Sequence, residues 1–276
     1  MPPSYAKTSD GHTGGKCDSL EAMTDPYAVD ADYYDLLHDD FDDDIGLWLS
    51  FAGQTDLPVL EVGVGSGRIA VALAAAGHAV TGVDPSAAML FRAQTRANEE
   101  GVELTLINGR PQDLALPPER FGLVLVPLDV FLCCVDGDEQ VAMLRALAAA
   151  MAFNGTLALD LPGPASHLDP ATNGQPLLVY SNQDEAGEHL DVWHVHEDDL
   201  GEQTRWLRIA YERTSADGSI RRQIAQHRLR YVHRFELEYL LRLAGFRVAD
   251  VYGDYDLGPL TNDSARMIVI AKPAKG

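Results

Sequence analysis

Val59-Leu60-Glu61-Val62-Gly63-Val64-Gly65-Ser66-Gly67-Arg68 decides the fold of this chain. Val59–Val62 is a short apolar run, and Ile69–Ala76 is Ala-rich and reads as a helix. Glycines between a strand and a helix let the backbone turn tightly and let a ligand approach the main chain. A dinucleotide fingerprint requires glycine at positions 63, 65 and 68. Position 68 is Arg, the third glycine is Gly67, and an acid, Glu61, precedes all three.

Downstream, Ala79–Val83 is the next strand, and Asp84 closes it. A carboxylate at that place can accept hydrogen bonds from both hydroxyls of a ribose. Pro85 and Ser86 open a helix reaching about Glu100. Leu104–Ile107, Leu123–Val126 and Thr156–Leu161 are further strands, with a helix over Glu139–Ala152. Short apolar strands alternating with helices predict a parallel sheet buried on both faces. After Pro162 the pattern turns extended, over Leu177–Tyr180, Leu190–His196, Thr204–Arg213 and Ile220–Val232. Asp217-Gly218 between the last two is a hairpin signal. A helix over Phe235–Ala244 stops at Gly245, and Phe246–Tyr252 and Met267–Ala271 are the last strands. Upstream, Tyr33, Leu36, Leu37, Phe41, Ile45, Trp48 and Leu49 recur at helical spacing, predicting one helical stretch from Asp30 to Phe51. Asp39, Asp40, Asp42, Asp43 and Asp44 read as its solvated face. Residues 1–24 are rich in Gly, Ser, Pro, Thr and Asp and read as a mobile leader.

The glycine segment resembles motif I of class I S-adenosylmethionine-dependent methyltransferases, and Val80-Thr81-Gly82-Val83-Asp84-Pro85-Ser86 is similar to the segment that follows it in that family. The flavour is that of bacterial small-molecule enzymes, some acting on amino sugars and other natural products. The resemblance implies a Rossmann-like α/β fold whose seven-stranded, mostly parallel sheet has an antiparallel last strand. One methyltransferase domain over 25–272 is expected, with a helical lid at 25–52 and an antiparallel insertion at about 163–232. The implied cofactor, S-adenosylmethionine, has no phosphate but carries an amino-acid end and a sulfonium, which suits Glu61. Its expected contacts are Glu61, Gly63, Gly65, Gly67, Asp84, Pro85, Pro127 and lid Tyr27. The family's usual acid after the third strand is missing, because Gly109 is followed by Arg110, which cannot accept a hydrogen bond. Gln112 and Asp113 are the substitutes, or backbone groups hold the adenine.

Just past the fourth strand, Asp129 is the acid expected to face the methyl group, as a base, an anchor for a cationic amine, or a turn residue. Tyr33 fits the apolar face and belongs to the core, which leaves Tyr34 to point at the cofactor. The resemblance places a His-Arg pair at His233-Arg234, with His233 a second candidate base or else a capping or core residue. Trp193 and Trp206 are expected to pack in the core under the insertion, or else to line the acceptor pocket. His194 and His196 share one strand face as surface or pocket-lining residues, and no metal site is read from them.

Asp plus Glu is 42 against 21 for Lys plus Arg, and a net charge of -21 repels phosphate backbones, which excludes nucleic acid as the expected substrate. Cys17 and the vicinal pair Cys133-Cys134 form no disulfide framework. No apolar run is long enough for a membrane helix. The expectation is therefore a cytoplasmic, S-adenosylmethionine-dependent enzyme that methylates N or O of a small metabolite, with a homodimer as its assembly. Carbon acceptors, a non-catalytic cofactor-binding module and a nicotinamide-dependent enzyme are the rival readings.

Overall fold

The computed structural model describes residue 25 and residues 27–166, 171–184 and 187–274. The leader assigned to 1–24, and Cys17 with it, lies outside the described residues.

The lid is three short helices, not one: α1 (Ala28–Ala31), α2 (Tyr34–His38) and α3 (Ile45–Ala52). The single-helix expectation fails for two physical reasons. Tyr33 leaves helical geometry to stack on Tyr211 with ring centroids 4.2 Å apart. The Phe41 carbonyl is taken by Arg68 Nη1 at 2.9 Å instead of extending a helical ladder. Leu36, assigned to the apolar face, is 54 % exposed. The acidic run is not all solvated either, since Asp44 is fully buried while Asp40, Asp42 and Asp43 are exposed.

The chain then alternates: β1 (Val59–Val62), α4 (Arg68–Ala75), β2 (Val80–Asp84), α5 (Ala87–Glu99), β3 (Thr105–Asn108), β4 (Phe121–Val126), α6 (Gly137–Ala150) and β5 (Met151–Pro162). Four strands follow, β6 (Leu177–Gln183), β7 (His189–Asp199), β8 (Thr204–Thr214) and β9 (Ile220–Arg230). The chain closes with α7 (Arg234–Leu243), β10 (Phe246–Tyr252) and β11 (Arg266–Pro273). The main sheet has the order β10-β11-β5-β4-β1-β2-β3. Its pairs are parallel except those of β11, which runs antiparallel to both β5 and β10. Strands β1, β2 and β4 are buried along their whole length, as a sheet covered on both faces requires. One face packs on Met143, Leu144 and Leu147 of α6 and Leu237 and Leu241 of α7. The other packs on Leu47 and Trp48 of α3 and Ile69 and Leu73 of α4. Strand order reverses at β1, between β4 and β2, so the glycine loop sits at the switch point where open α/β sheets bind ligands.

Strands β6 to β9 form a separate antiparallel sheet. Gly218, with φ +83°, turns β8 into β9 beside Asp217, whose carboxylate accepts the Ser219 N–H at 2.9 Å. The inward face, with Leu190, Val192, Ile209 and Tyr211, packs against lid residue Tyr33. Tyr33 is thus core, as expected. The expectation for the tryptophans fails: Trp193 is only partly buried, and Trp206 is 50 % exposed with Arg228 over its ring. Side chains alternate along a strand, so the inward register of Val192 and Ile209 puts Trp193 and Trp206 on the outer face. Among the described residues no helix is long and apolar enough to cross a membrane.

Candidate active site

The loop after β1 is shaped by what touches it. Gly63 has φ +70°, and a Cβ there would lie 2.4 Å from Val130. The N–H groups of Gly63 and Val64 both donate to the Val83 carbonyl, pinning the loop to the end of β2. Asp84 finishes that strand. Its Oδ2 accepts the Gly65 N–H at 2.9 Å and its Oδ1 accepts the Ser86 N–H at 2.8 Å. Ser86 in turn caps α5 by accepting the Met89 N–H.

Glu61 lies beneath this loop and is only 2 % exposed. Its Oε2 has no hydrogen-bond partner. Burial pushes the carboxyl well above the ordinary range; Arg68 pulls it back, while Asp44 and Asp84 push it further up. Arg68 does not neutralise Glu61, because its guanidinium forks onto Asp44 at 2.7 and 2.8 Å. That fork ties α4 to α3, and Asp44 also accepts Trp48 Nε1–H at 3.0 Å.

Two adjoining cavities open at the loop, one of about 480 Å³ and one of about 240 Å³. Tyr27, Gly63, Pro85, Val130, Cys133 and His227 line both. The smaller includes Gln112, whose buried Oε1 has no partner. Gln112 and Asp113 sit in one turn of 3₁₀ helix, where successive residues point about 120° apart. Asp113 is accordingly exposed and outside both linings, which corrects its pairing with Gln112. Pro127 is buried and also outside both. Gly67 caps α4 and packs on Ala93, so its place is structural. These features suit S-adenosylmethionine: an unpartnered buried carboxylate oxygen, an unpartnered amide acceptor, and Gly65, where an added Cβ would meet nothing nearer than the Gly63 carbonyl at 3.9 Å.

The larger cavity is roofed by the lid and the insertion. Tyr27, Tyr34, Leu37 and His38 come from the lid, and Tyr180, His194, Tyr211 and His227 from β6 to β9. Tyr34 stacks on His38, and burial pushes its hydroxyl up to about 12. Asp129 lines the floor. Leu128 and Asp129 both adopt left-handed backbone, with φ +46° and +67°, a strained pair for residues with side chains. Asp160 holds them there: its carbonyl accepts the Asp129 N–H and its Oδ2 the Leu128 N–H. Arg266 bridges the two acids, donating to Asp160 at 2.7 Å and to Asp129 Oδ1 at 2.8 Å. Burial raises the Asp129 carboxyl and Arg266 lowers it, with a net shift upward.

His233 does not reach the cavity. It is the exposed N-cap of α7 and meets Tyr231 edge-on. Cys134 is buried against Met143, whereas Cys133 faces both cavities and meets the Tyr27 hydroxyl at 3.3 Å. His194 is a lining residue and His196 is buried beside Thr172.

Sequence reasoning missed Asp30, Tyr211 and His227. Asp30 is 4 % exposed and joins the lid to the insertion, accepting Tyr211 Oη–H at 2.8 Å and pairing with His227 Nε2 at 3.0 Å. Strand alternation places Tyr211 inward, but no local pattern links it to a residue so far ahead in the chain.

Residues 59–155 match the family model described as a methyltransferase domain. A cypemycin N-terminal methyltransferase from Streptomyces sp. is 26 % identical over 269 residues, covering 90 % of this chain and 98 % of that protein. The CcbJ methyltransferase of Streptomyces caelestis superposes with a TM-score of 0.73 at 24 % identity, over 89 % of this chain and 96 % of that one. The sugar N-methyltransferase KedS8 of Streptoalloteichus gives a TM-score of 0.70 at 17 % identity, over 97 % and 100 %.

Proposed function

From the premise that the chain is an S-adenosylmethionine-dependent methyltransferase of class I fold, we propose that it methylates an amine nitrogen of a small natural-product metabolite. One observation carries the choice of acceptor. The 480 Å³ cavity is lined by Asp30, Asp84, Asp129, His38, His194 and His227 and, among the described residues, by no Lys or Arg. A carboxylate or phosphate acceptor would be desolvated there beside carboxylates and without a Lys or Arg, whereas an ammonium finds the open Oδ2 of Asp129. The names of two similar proteins, an N-terminal and a sugar N-methyltransferase, agree with that choice.

When bound, S-adenosylmethionine supplies a methyl group made electrophilic by its sulfonium. Glu61 would accept from the ammonium of its amino-acid end, Asp84 from its ribose hydroxyls and Gln112 from its adenine amine. The chain's other contribution is placement. An in-line displacement gains most of its rate when the nucleophile is held in position. Asp129 Oδ2, which has no partner among the described residues, is free to accept an N–H of the acceptor while Arg266 fixes Oδ1. Tyr34, Leu37 and His38 of the lid form part of the cavity wall.

The test is transfer of a labelled methyl group to a panel of primary and secondary amines, amino sugars, peptide N-termini, phenols and carboxylates. Label in amines supports the assignment. Label only in oxygen or carbon acceptors, or in none, refutes it.

A further inference from the structure

We infer that His227, oriented by Asp30, is the base that takes the proton from the acceptor nitrogen; this rests on reading the larger cavity as an amine site. An ammonium has no lone pair, so methylation at nitrogen requires that a proton first leave. Asp129, the acid expected to do this from sequence, has one oxygen held by Arg266.

The geometry at His227 is that of an oriented base. Both oxygens of Asp30 are committed, Oδ1 to Tyr211 and Oδ2 to His227 Nε2. An Nε2–H facing a carboxylate fixes the tautomer and leaves the lone pair on Nδ1. Among the described residues Nδ1 has no hydrogen-bond partner. The ring lines both cavities, at the boundary where the cofactor side marked by Gln112 meets the acceptor side marked by Asp129. Tyr27 stacks on it at 4.6 Å, and an aromatic face favours the imidazolium that forms.

In the step, the N–H bond of the acceptor ammonium breaks and its proton bonds to His227 Nδ1. The electron pair stays on nitrogen as the attacking lone pair. The imidazolium returns the proton to water after the product leaves. Asp30 and Tyr211 are positioning residues. The titratable groups facing the ring are Asp30 from α1, Tyr27 ahead of it, Tyr211 on β8, His194 on β7 and Cys133; Asp84 and Asp129 share the cavity.

Two measurements test this. In the first, imidazole nitrogens of the ¹⁵N-labelled protein are followed by NMR from pH 5 to 9, with His227 assigned from the spectrum of His227→Gln. The expected result is an Nε2–H tautomer that is no longer the sole neutral form in Asp30→Asn. An Nδ1–H tautomer in wild type, or a tautomer balance that Asp30→Asn leaves unchanged, overturns the inference. In the second, His227→Gln is assayed on the best amine of the panel. Glutamine keeps an N–H for Asp30 and has no titrating atom, so the lid contact survives. The expected result is a kcat reduced about 100-fold, with the pH dependence of the base gone and the Kd for S-adenosylhomocysteine within about threefold of wild type. Wild-type kcat in His227→Gln overturns the base and leaves the amine reading standing. Absence of transfer to any amine by the wild type overturns the amine reading, and this base with it.

Discussion

Glu61→Gln should stabilise the protein without ligand and weaken its hold on the cofactor. The carboxylate is buried with one oxygen unpartnered, and burial holds its pKa well above the ordinary carboxylate range. A folded-state pKa above the unfolded one means that ionised Glu61 opposes folding. The penalty is absent below pH 4.5, where both states are protonated, grows as the pH rises through the folded pKa, and is constant above it. An unsatisfied buried polar group destabilises by about 1–3 kcal/mol. For a chain of this length each kcal/mol moves Tm by roughly 2–3 °C, so the variant should melt about 2–9 °C higher at pH 7.5. The difference should close as the pH falls to 4.5. In the bound state the sign reverses, because the charge then meets an ammonium. Losing one hydrogen bond between charged groups, worth about 1.5–3 kcal/mol, raises the Kd for S-adenosylhomocysteine between about 10- and 150-fold. Scanning calorimetry at four pH values and isothermal titration of the ligand read the two effects separately. A variant that melts lower at pH 7.5, or binds as tightly as wild type, would refute the assignment of Glu61 as a strained ligand-holding acid.

Gly63→Ala places a methyl 2.4 Å from Val130 at a φ of +70°, and should lower stability by about 1–3 kcal/mol in urea unfolding and abolish ligand binding by titration. Asp44→Ala strands the Arg68 guanidinium, whose side chain is 11 % exposed, and should destabilise by about 3–5 kcal/mol, read as a lower urea midpoint; Asp44→Asn should recover part of that.

Much of the fold was legible because it rests on local signals. The four-residue strands, the glycines at 63, 65 and 67, and Asp84 at the next strand end are all short-range patterns, and they predicted the parallel sheet; its switch point came only with the strand order. Gly245 stops α7 where expected, through a positive φ that glycine tolerates. The lid was misread because helical periodicity cannot register long-range partners: Arg68 pulls the Phe41 carbonyl out of register, and Tyr211 pulls Tyr33. His233 was misplaced for a related reason. Its sequence position fixes it at a helix N-terminus but not the direction that terminus faces. The acceptor side was least legible, since Asp30, Tyr211 and His227 meet only after the insertion folds over the lid. Arg266 was visible in sequence only as a strand-flanking residue, with nothing to show that it would join Asp129 to Asp160.

Strand β11 carries a consequence for the order in which the protein becomes active. It lies between β5 and β10 and follows every other described strand in the chain. Arg266 rides on its first position, so a nascent chain can complete the glycine loop, Asp84 and the lid while Asp129 and Asp160 still repel each other across an open seam. Strand β10 has no partner until then. Deleting residues 265–276 would therefore remove the strand that joins β5 to β10 together with the cation that holds Asp129 against Asp160, so that sheet closure and the acceptor floor are lost in one stroke.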